Sequence, residues 1–307
     1  MRERNDVTRP AVSVIMTFFD TPRAFFDEAV ASVEAQTLPN WELILVNDGS
    51  KPDVVGHANA LAERSQGRIR CISHPDGANH GTPASRNLGV RHARGDFLAF
   101  LDSDDVWLPS KLEEQVAVLD ARPELWMVFG RSIYWTSWTE NPASGDHTPA
   151  LGVRDGTVFQ PPAFLHAMLR RRVVMPCPSS ILVRTPAVKQ VGGFDEAWPT
   201  TFEDQTLYVK IGLHGPVLAM DRVWVRYRIH QGSVMQRTRA RRLRAERQQF
   251  LDWILRYANQ HGHTDAGFRR TMQLERMATN IPGGQRLLRF LRRVSALPGR
   301  ISTSRRG

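Results

Sequence analysis

The segment Phe97-Leu98-Ala99-Phe100-Leu101 is apolar without interruption and runs straight into Asp102-Ser103-Asp104-Asp105. A strand that offers water neither face must be covered on both, as in a mainly parallel sheet sandwiched between helices. The carboxylates that follow then stand at the carboxyl end of a buried strand, where open α/β sheets bind their ligands. This one junction restricts the fold class and says where to look for chemistry.

The upstream sequence repeats the pattern. Val12-Ser13-Val14-Ile15-Met16 reads as a strand ending at Thr17, and Phe25, Phe26, Ala29, Val30 and Val33 follow at helical spacing. Trp41 to Val46 reads as a second strand, halted by the turn-forming Asn47-Asp48-Gly49-Ser50. A helix over Val54 to Ser65, a strand over Ile69 to Ile72 and a helix over Ala84 to Ala93 complete the alternation. Further on, Lys111 to Leu119 reads as helix and Trp126 to Phe129 as strand; Ser179 to Val183 and Val223 to Tyr227 read as strands flanking a helix over Asp204 to Leu213. Residues 138–156, rich in Pro, Gly, Ser and Asn, read as a loop. The expected fold is α/β, an open, mainly parallel, Rossmann-like sheet with helices on both faces. It would occupy residues 10–236, followed by an arginine-rich helical extension over 237–307.

Charge divides the chain at the same place. The net charge is +10, yet residues 237–307 hold 17 Arg and no Lys against 4 acids, which leaves the preceding 236 residues at −3. A near-neutral body argues against nucleic acid as the partner. The basic extension could lie on an anionic membrane, meet a lipid-linked or acidic acceptor, contact another subunit or be solvated; Arg286 to Val294 sets apolar residues and arginines on different faces of a helix. Two isolated cysteines, Cys71 and Cys177, suggest neither a disulfide framework nor a zinc site, and fit a reducing compartment. The charged start and the lack of an apolar run of about 18 residues lead to the expectation of a cytoplasmic protein, peripheral at the membrane at most.

Several carboxylates on one turn repel unless a cation compensates, and hard oxygen ligands suit Mg²⁺ or Mn²⁺ bridged to phosphates. The alternative for Asp102 to Asp105 is an acidic turn capping the helix after Pro109. Asp48 could accept from a base N–H or a ribose hydroxyl, or could form an Asx-turn or N-cap. Arg86, early in a helix after His80-Gly81-Thr82-Pro83, could border an anion or be a solvated surface residue. Glu203-Asp204 could serve the site or only complement a helix dipole. His230 could be a site residue or a hydrogen-bonded histidine at a sheet edge.

Taken in order, Val14-Ile15-Met16-Thr17, Val46-Asn47-Asp48-Gly49-Ser50, Ala84-Ser85-Arg86-Asn87-Leu88-Gly89, Leu101-Asp102-Ser103-Asp104-Asp105 and Gly192-Gly193-Phe194-Asp195-Glu196 before Glu203-Asp204 resemble the successive motifs of family 2 glycosyltransferases. The resemblance spans about residues 10–235. It implies a GT-A fold and a nucleotide-diphospho-sugar donor, typically of uridine, with Thr17 and Asp48 at the nucleoside and Arg86 beside them. Asp102, with Ser103, would lie near the ribose and metal. Asp104 would ligate Mn²⁺ or Mg²⁺, and His230 would reach the diphosphate or the ion. Glu203 would border the donor and Asp204 would be the base of a direct, inverting transfer to a carbohydrate or lipid-linked acceptor. Gln205 and Thr206 depart from the acids many relatives carry there. The Gln-x-x-Arg-Trp motif and membrane helices of processive synthases are missing, which favours adding one sugar. Two rivals stay open. A nucleotidyltransferase is disfavoured because Thr17-Phe18-Phe19-Asp20 holds no glycine; a non-catalytic sugar-nucleotide binder is disfavoured by the retained Asp204.

Overall fold

The computed structural model describes residues 9–140, 142, 145–198, 201–230 and 240–281. Two compact units are present, Met1–Thr238 and Arg239–Gly307.

In the first unit, β1 (Val12–Phe18), β2 (Trp41–Asn47), β3 (Ile69–Ser73) and β4 (Phe97–Asp102) pair in parallel in the order β3-β2-β1-β4. Their period of two divides side chains between two cores. Val14, Met16 and Phe18 pack with Leu43, Leu45, Ala99 and Leu101 on one face, under Phe26, Ala29 and Val30 of α1 (Arg23–Glu34). Ile15, Ile44, Val46, Leu98 and Phe100 pack on the other with Leu88 and Val90 of α3 (Thr82–His92). Between them in sequence runs α2 (Pro52–Arg64). The sheet buried on both faces that the apolar runs predict is therefore present.

Beyond β4 the sheet continues through strands that turn direction. β5 (Val106–Trp107), α4 (Lys111–Ala121), β6 (Met127–Trp135), β7 (Thr157–Phe159), α5 (Ala163–Leu169), β8 (Ile181–Arg184), α6 (Thr185–Gln190), α7 (Glu203–His214) and β9 (Val217–Arg228) follow in chain order. β8 is antiparallel to both β4 and β6, whereas β6 and β9 are parallel. The sequence reading of a strand over Ser179 to Val183 needs correction: Pro178–Ser180 form a 3₁₀ turn and the strand begins at Ile181. A proline at the start of that turn and the capture of its carbonyls by side chains, described below, divert those residues from a ladder.

The second unit consists, among the described residues, of α8 (Ala240–Gln260) and α9 (Ala266–Asn280), which pack on each other. Phe250, Leu251, Ile254, Phe268 and Met272 are buried, Arg247 donates to Glu275 at 2.9 Å, and Asp265 caps α9 by accepting from the Phe268 amide at 2.8 Å. The amphipathic run Arg286 to Val294 lies outside the described residues. No described helix is long and apolar enough to cross a membrane.

Candidate active site

Parallel register brings the predicted residues to one edge of the sheet. Thr17 lies opposite Asp102 on β4, and Phe18 opposite Asn47 on β2, so Asp48 and the acidic turn flank the end of β1.

Asp48 is 4% exposed. Its Oδ1 accepts from the His80 amide at 2.8 Å, and its carbonyl accepts from Asn79 Nδ2 at 2.9 Å. The Asx-turn considered for Asp48 belongs instead to Asn47, whose Oδ1 accepts from the Ser50 amide at 2.8 Å, and the residue preceding α2 is Lys51. Gly49 has φ +81°, and a Cβ there would stand 2.7 Å from the Asn79 nitrogen, so only glycine lets the 78–80 loop close on the turn. His80 stacks on His74 at 4.2 Å between ring centres, and His74 meets the Ser85 hydroxyl at 2.8 Å.

Arg86 is buried, with 2% of its surface exposed, which excludes a solvated surface role. Its guanidinium donates to Asp102 Oδ1 at 2.7 Å and to Glu203 Oε2 at 2.5 Å, and it lies 5.3 Å from the Phe194 ring centre. One cation thus joins the ends of β4 and α7. Burial raises the Asp102 carboxyl above the usual range, and Arg86 opposes that rise. Burial also lifts Glu203 to about 8 and Asp204 to about 6, again against the pull of Arg86. The loop before α7 is anchored to α3 by Asn87, which accepts from the Phe194 amide at 2.9 Å and donates to Glu196 at 2.8 Å.

The three acids of the turn have separate partners, and none caps α4, whose flanking residue is Ser110. Asp105 is fully buried; it accepts from Ser179 Oγ at 2.6 Å and from the Arg228 amide at 3.0 Å. Asp104 is partly exposed, with its Oδ2 2.9 Å from His230 Nε2. Ser103 Oγ is 2.7 Å from Thr21 Oγ1. Mg²⁺ and Mn²⁺ keep several waters and need only one or two protein donors when substrate phosphates complete the shell. Asp104 and His230, half-buried and adjacent, fit such an ion. Among the described residues no group of three or more acids, histidines or cysteines forms a full cage.

Three residues here have no role assigned to them by the motifs. Ser179 accepts from the Asp102 amide at 3.1 Å while donating to Asp105, so it splints the acidic turn. Arg228 reaches Asp104 O through Nε at 2.7 Å. Phe19, 55% exposed at the end of β1, presents an aromatic face to solvent beside this edge. Proline on either side of Cys177 is the one local sign that Ser179 occupies a fixed turn.

The family described as Glycosyl transferase family 2 matches residues 13–185, more than half of the 307-residue chain. The chain belongs to this family. Among its relatives is the Escherichia coli UDP-Glc:alpha-D-GlcNAc-diphosphoundecaprenol beta-1,3-glucosyltransferase WfgD, 33% identical over 108 residues, which are 35% of this chain and 40% of that protein. Among solved structures, S. aureus TarS 1-349 in complex with UDP-GlcNAc superposes with a TM-score of 0.64 at 16% identity, covering 87% of this chain and 72% of that one. The mannosyltransferase PcManGT from Pyrobaculum calidifontis, in complex with GDP-Man and Mn²⁺, gives 0.58 at 17% identity over 95% of this chain and 77% of that one. The fold is that of these glycosyltransferases, the GT-A fold that the motifs imply. The chain spans less than half the length of the curated relatives it matches.

Proposed function

We propose that this family 2 member transfers a single sugar from a nucleotide-diphospho-sugar, a UDP-sugar by preference, to an acceptor hydroxyl with inversion, in envelope polysaccharide or glycolipid synthesis. The observation that supports this most directly is the convergence of Asp102, Glu203 and Asp204 on Arg86, at the carboxyl ends of β1 and β4. Chemistry at an anomeric carbon needs a proton acceptor and a stabilised leaving group. Asp204, raised to about 6, is ionised in most molecules at neutral pH yet basic enough to take the acceptor's proton as its oxygen bonds to the anomeric carbon. The bond to the diphosphate oxygen breaks in the same displacement, so no enzyme nucleophile is required. Thr17, Asp48 and Ser103 would hold the nucleoside end, with Phe19 offering a stacking face for the base. A bound Mn²⁺ or Mg²⁺, held by Asp104 and His230, would supply charge for the departing diphosphate. The GDP-Man and Mn²⁺ in the mannosyltransferase, and the UDP-GlcNAc in TarS, favour this donor class and ion. WfgD's lipid-diphosphate acceptor favours a lipid-linked one.

The test is release of nucleoside diphosphate from a panel of nucleotide sugars with Mn²⁺, with Asp204→Asn alongside. The variant is expected to bind UDP normally and lose about 10²–10⁴-fold in rate, the span of general-base catalysis. Binding without release from any donor, across varied acceptors, would favour a non-catalytic sugar-nucleotide binder. Equal rates in the two proteins would remove Asp204 as the base.

A further inference from the structure

The edge of β6 and β9 next to the acidic turn carries aromatic residues for which the donor chemistry has no use. Tyr134 and Tyr227 are register partners, with ring centres 5.5 Å apart, and Tyr134 is 40% exposed. Alternation along β6 puts Tyr134 on the same face as Ser132, whose hydroxyl is 3.0 Å from the Cys177 sulfur. Cys177 leads into the turn in which Ser179 grips Asp102 and Asp105, and the Arg228 amide ties the end of β9 to Asp105. The tyrosine pair therefore lies alongside the acidic turn.

A third phenol belongs to α7. Tyr208 stands four residues after Asp204, on the same helical face, and its hydroxyl is buried with no hydrogen-bond partner. An unmatched buried hydroxyl is unfavourable, so it marks a place where a polar group is wanted. Desolvation raises the phenols of Tyr134, Tyr208 and Tyr227, and each of them also feels Cys177. Tyr227 feels Asp102, Asp104 and Asp105 as well. The 138–156 loop returns here: Tyr134 and His147 exchange backbone hydrogen bonds at 2.7 and 3.1 Å, and the His147 ring meets the Tyr134 ring edge-on at 6.2 Å.

Phenol rings offer a flat apolar face and a polar rim, the two features a pyranose presents in return through its C–H face and its hydroxyls. We propose that Tyr134 and Tyr227 form the subsite for the acceptor's terminal pyranose ring, which stacks on Tyr134 with its hydroxyls toward Tyr227. This rests on the transferase reading above and adds to it the seat of the acceptor's terminal sugar.

The test uses the full chain loaded with UDP and Mn²⁺. Phenyl pyranosides of glucose, N-acetylglucosamine, galactose and mannose are titrated by saturation-transfer NMR, and UDP affinity is measured by calorimetry. At least one pyranoside is expected to bind through its ring C–H protons. Tyr134→Ala should weaken that binding about tenfold, the loss of one stacking contact, and Tyr134→Trp should restore it. UDP affinity should stay within about twofold in both variants, which also reports that they are folded. UDP binding with no pyranoside bound, or with binding indifferent to Tyr134→Ala, overturns the subsite and leaves the transferase reading standing. Absence of binding by UDP and by every other nucleoside diphosphate sinks the transferase reading itself.

Discussion

Replacing Arg86 by methionine would strip the counter-charge from Glu203 and Asp102 at once. Removing one partner of a buried ion cluster costs about 3–5 kcal/mol, and a lysine, a point charge without the forked donor geometry, should not restore both contacts. A milder substitution, Arg86→Gln, isolates an electrostatic effect. Arg86 holds the Asp204 pKa down against burial, so its loss raises that pKa above about 6. The base must be deprotonated to act; the acid limb of the rate profile, expected near pH 6 in the native protein, should therefore move to higher pH in Arg86→Gln. An unmoved limb, measured as kcat against pH, would mean that Arg86 does not act on the base. Of these residue-scale features, Asp48, Asp102 and Asp204 are legible in sequence because each follows a recognisable element boundary. The duty of Asp105 is not, because its partners Ser179 and Arg228 lie 74 and 123 residues away.

At the scale of elements, the turn and helix that follow β4 act as a clamp. Trp107 Nε1, Gln115 Nε2 and Lys111 Nζ donate in turn to the carbonyls of Ser179, Ser180 and Ile181, at 2.8, 2.9 and 3.2 Å. Lys111 has no solvent exposure and faces the Trp107 ring at 4.1 Å; burial lowers its pKa from 10.5 to about 7. Between those values the unfolded chain binds a proton that the folded chain does not, so stability from this group rises with pH and is lost as pH falls through about 7. Against Lys111→Met, which cannot titrate, the native protein should gain up to about 1.4 kcal/mol per pH unit across that window. Urea midpoints at neutral and alkaline pH check this, and a parallel pH dependence in the two proteins would count against it. The clamp also explains what the sequence conceals at this scale. β1, β2 and β4 declare themselves by apolar runs because both their faces are buried. The short β5 and β7 join the sheet through backbone bonds to β9, which leave no pattern in their side chains. Ser179 and Ser180, at the head of an apolar run, look like strand until the side chains of Trp107 and Gln115 claim their carbonyls.

For the whole molecule, the two units separate charge as well as structure, since the arginine excess belongs almost wholly to the residues from 237 onward. If the extension meets an anionic membrane, sedimentation with phosphatidylserine vesicles should pull down the full chain and release it as salt rises. A chain ending at Asn280, without the arginines of the 286–294 run, should sediment less. Equal failure of both to sediment would exclude the membrane and leave solvation or a subunit contact. The Arg86 bridge bears on synthesis too. It joins residues 117 positions apart, so a ribosome must make most of the first unit before Glu203 can arrive. Until then Asp102 is the acid of that cluster that can meet Arg86, on the parallel half-sheet β3-β2-β1-β4. Loop-closure entropy makes such distant contacts late ones. The Arg86 cluster is then a late part of this unit to be completed, and on the function proposed above a truncated chain that has not reached α7 would have the residues for the donor without the base.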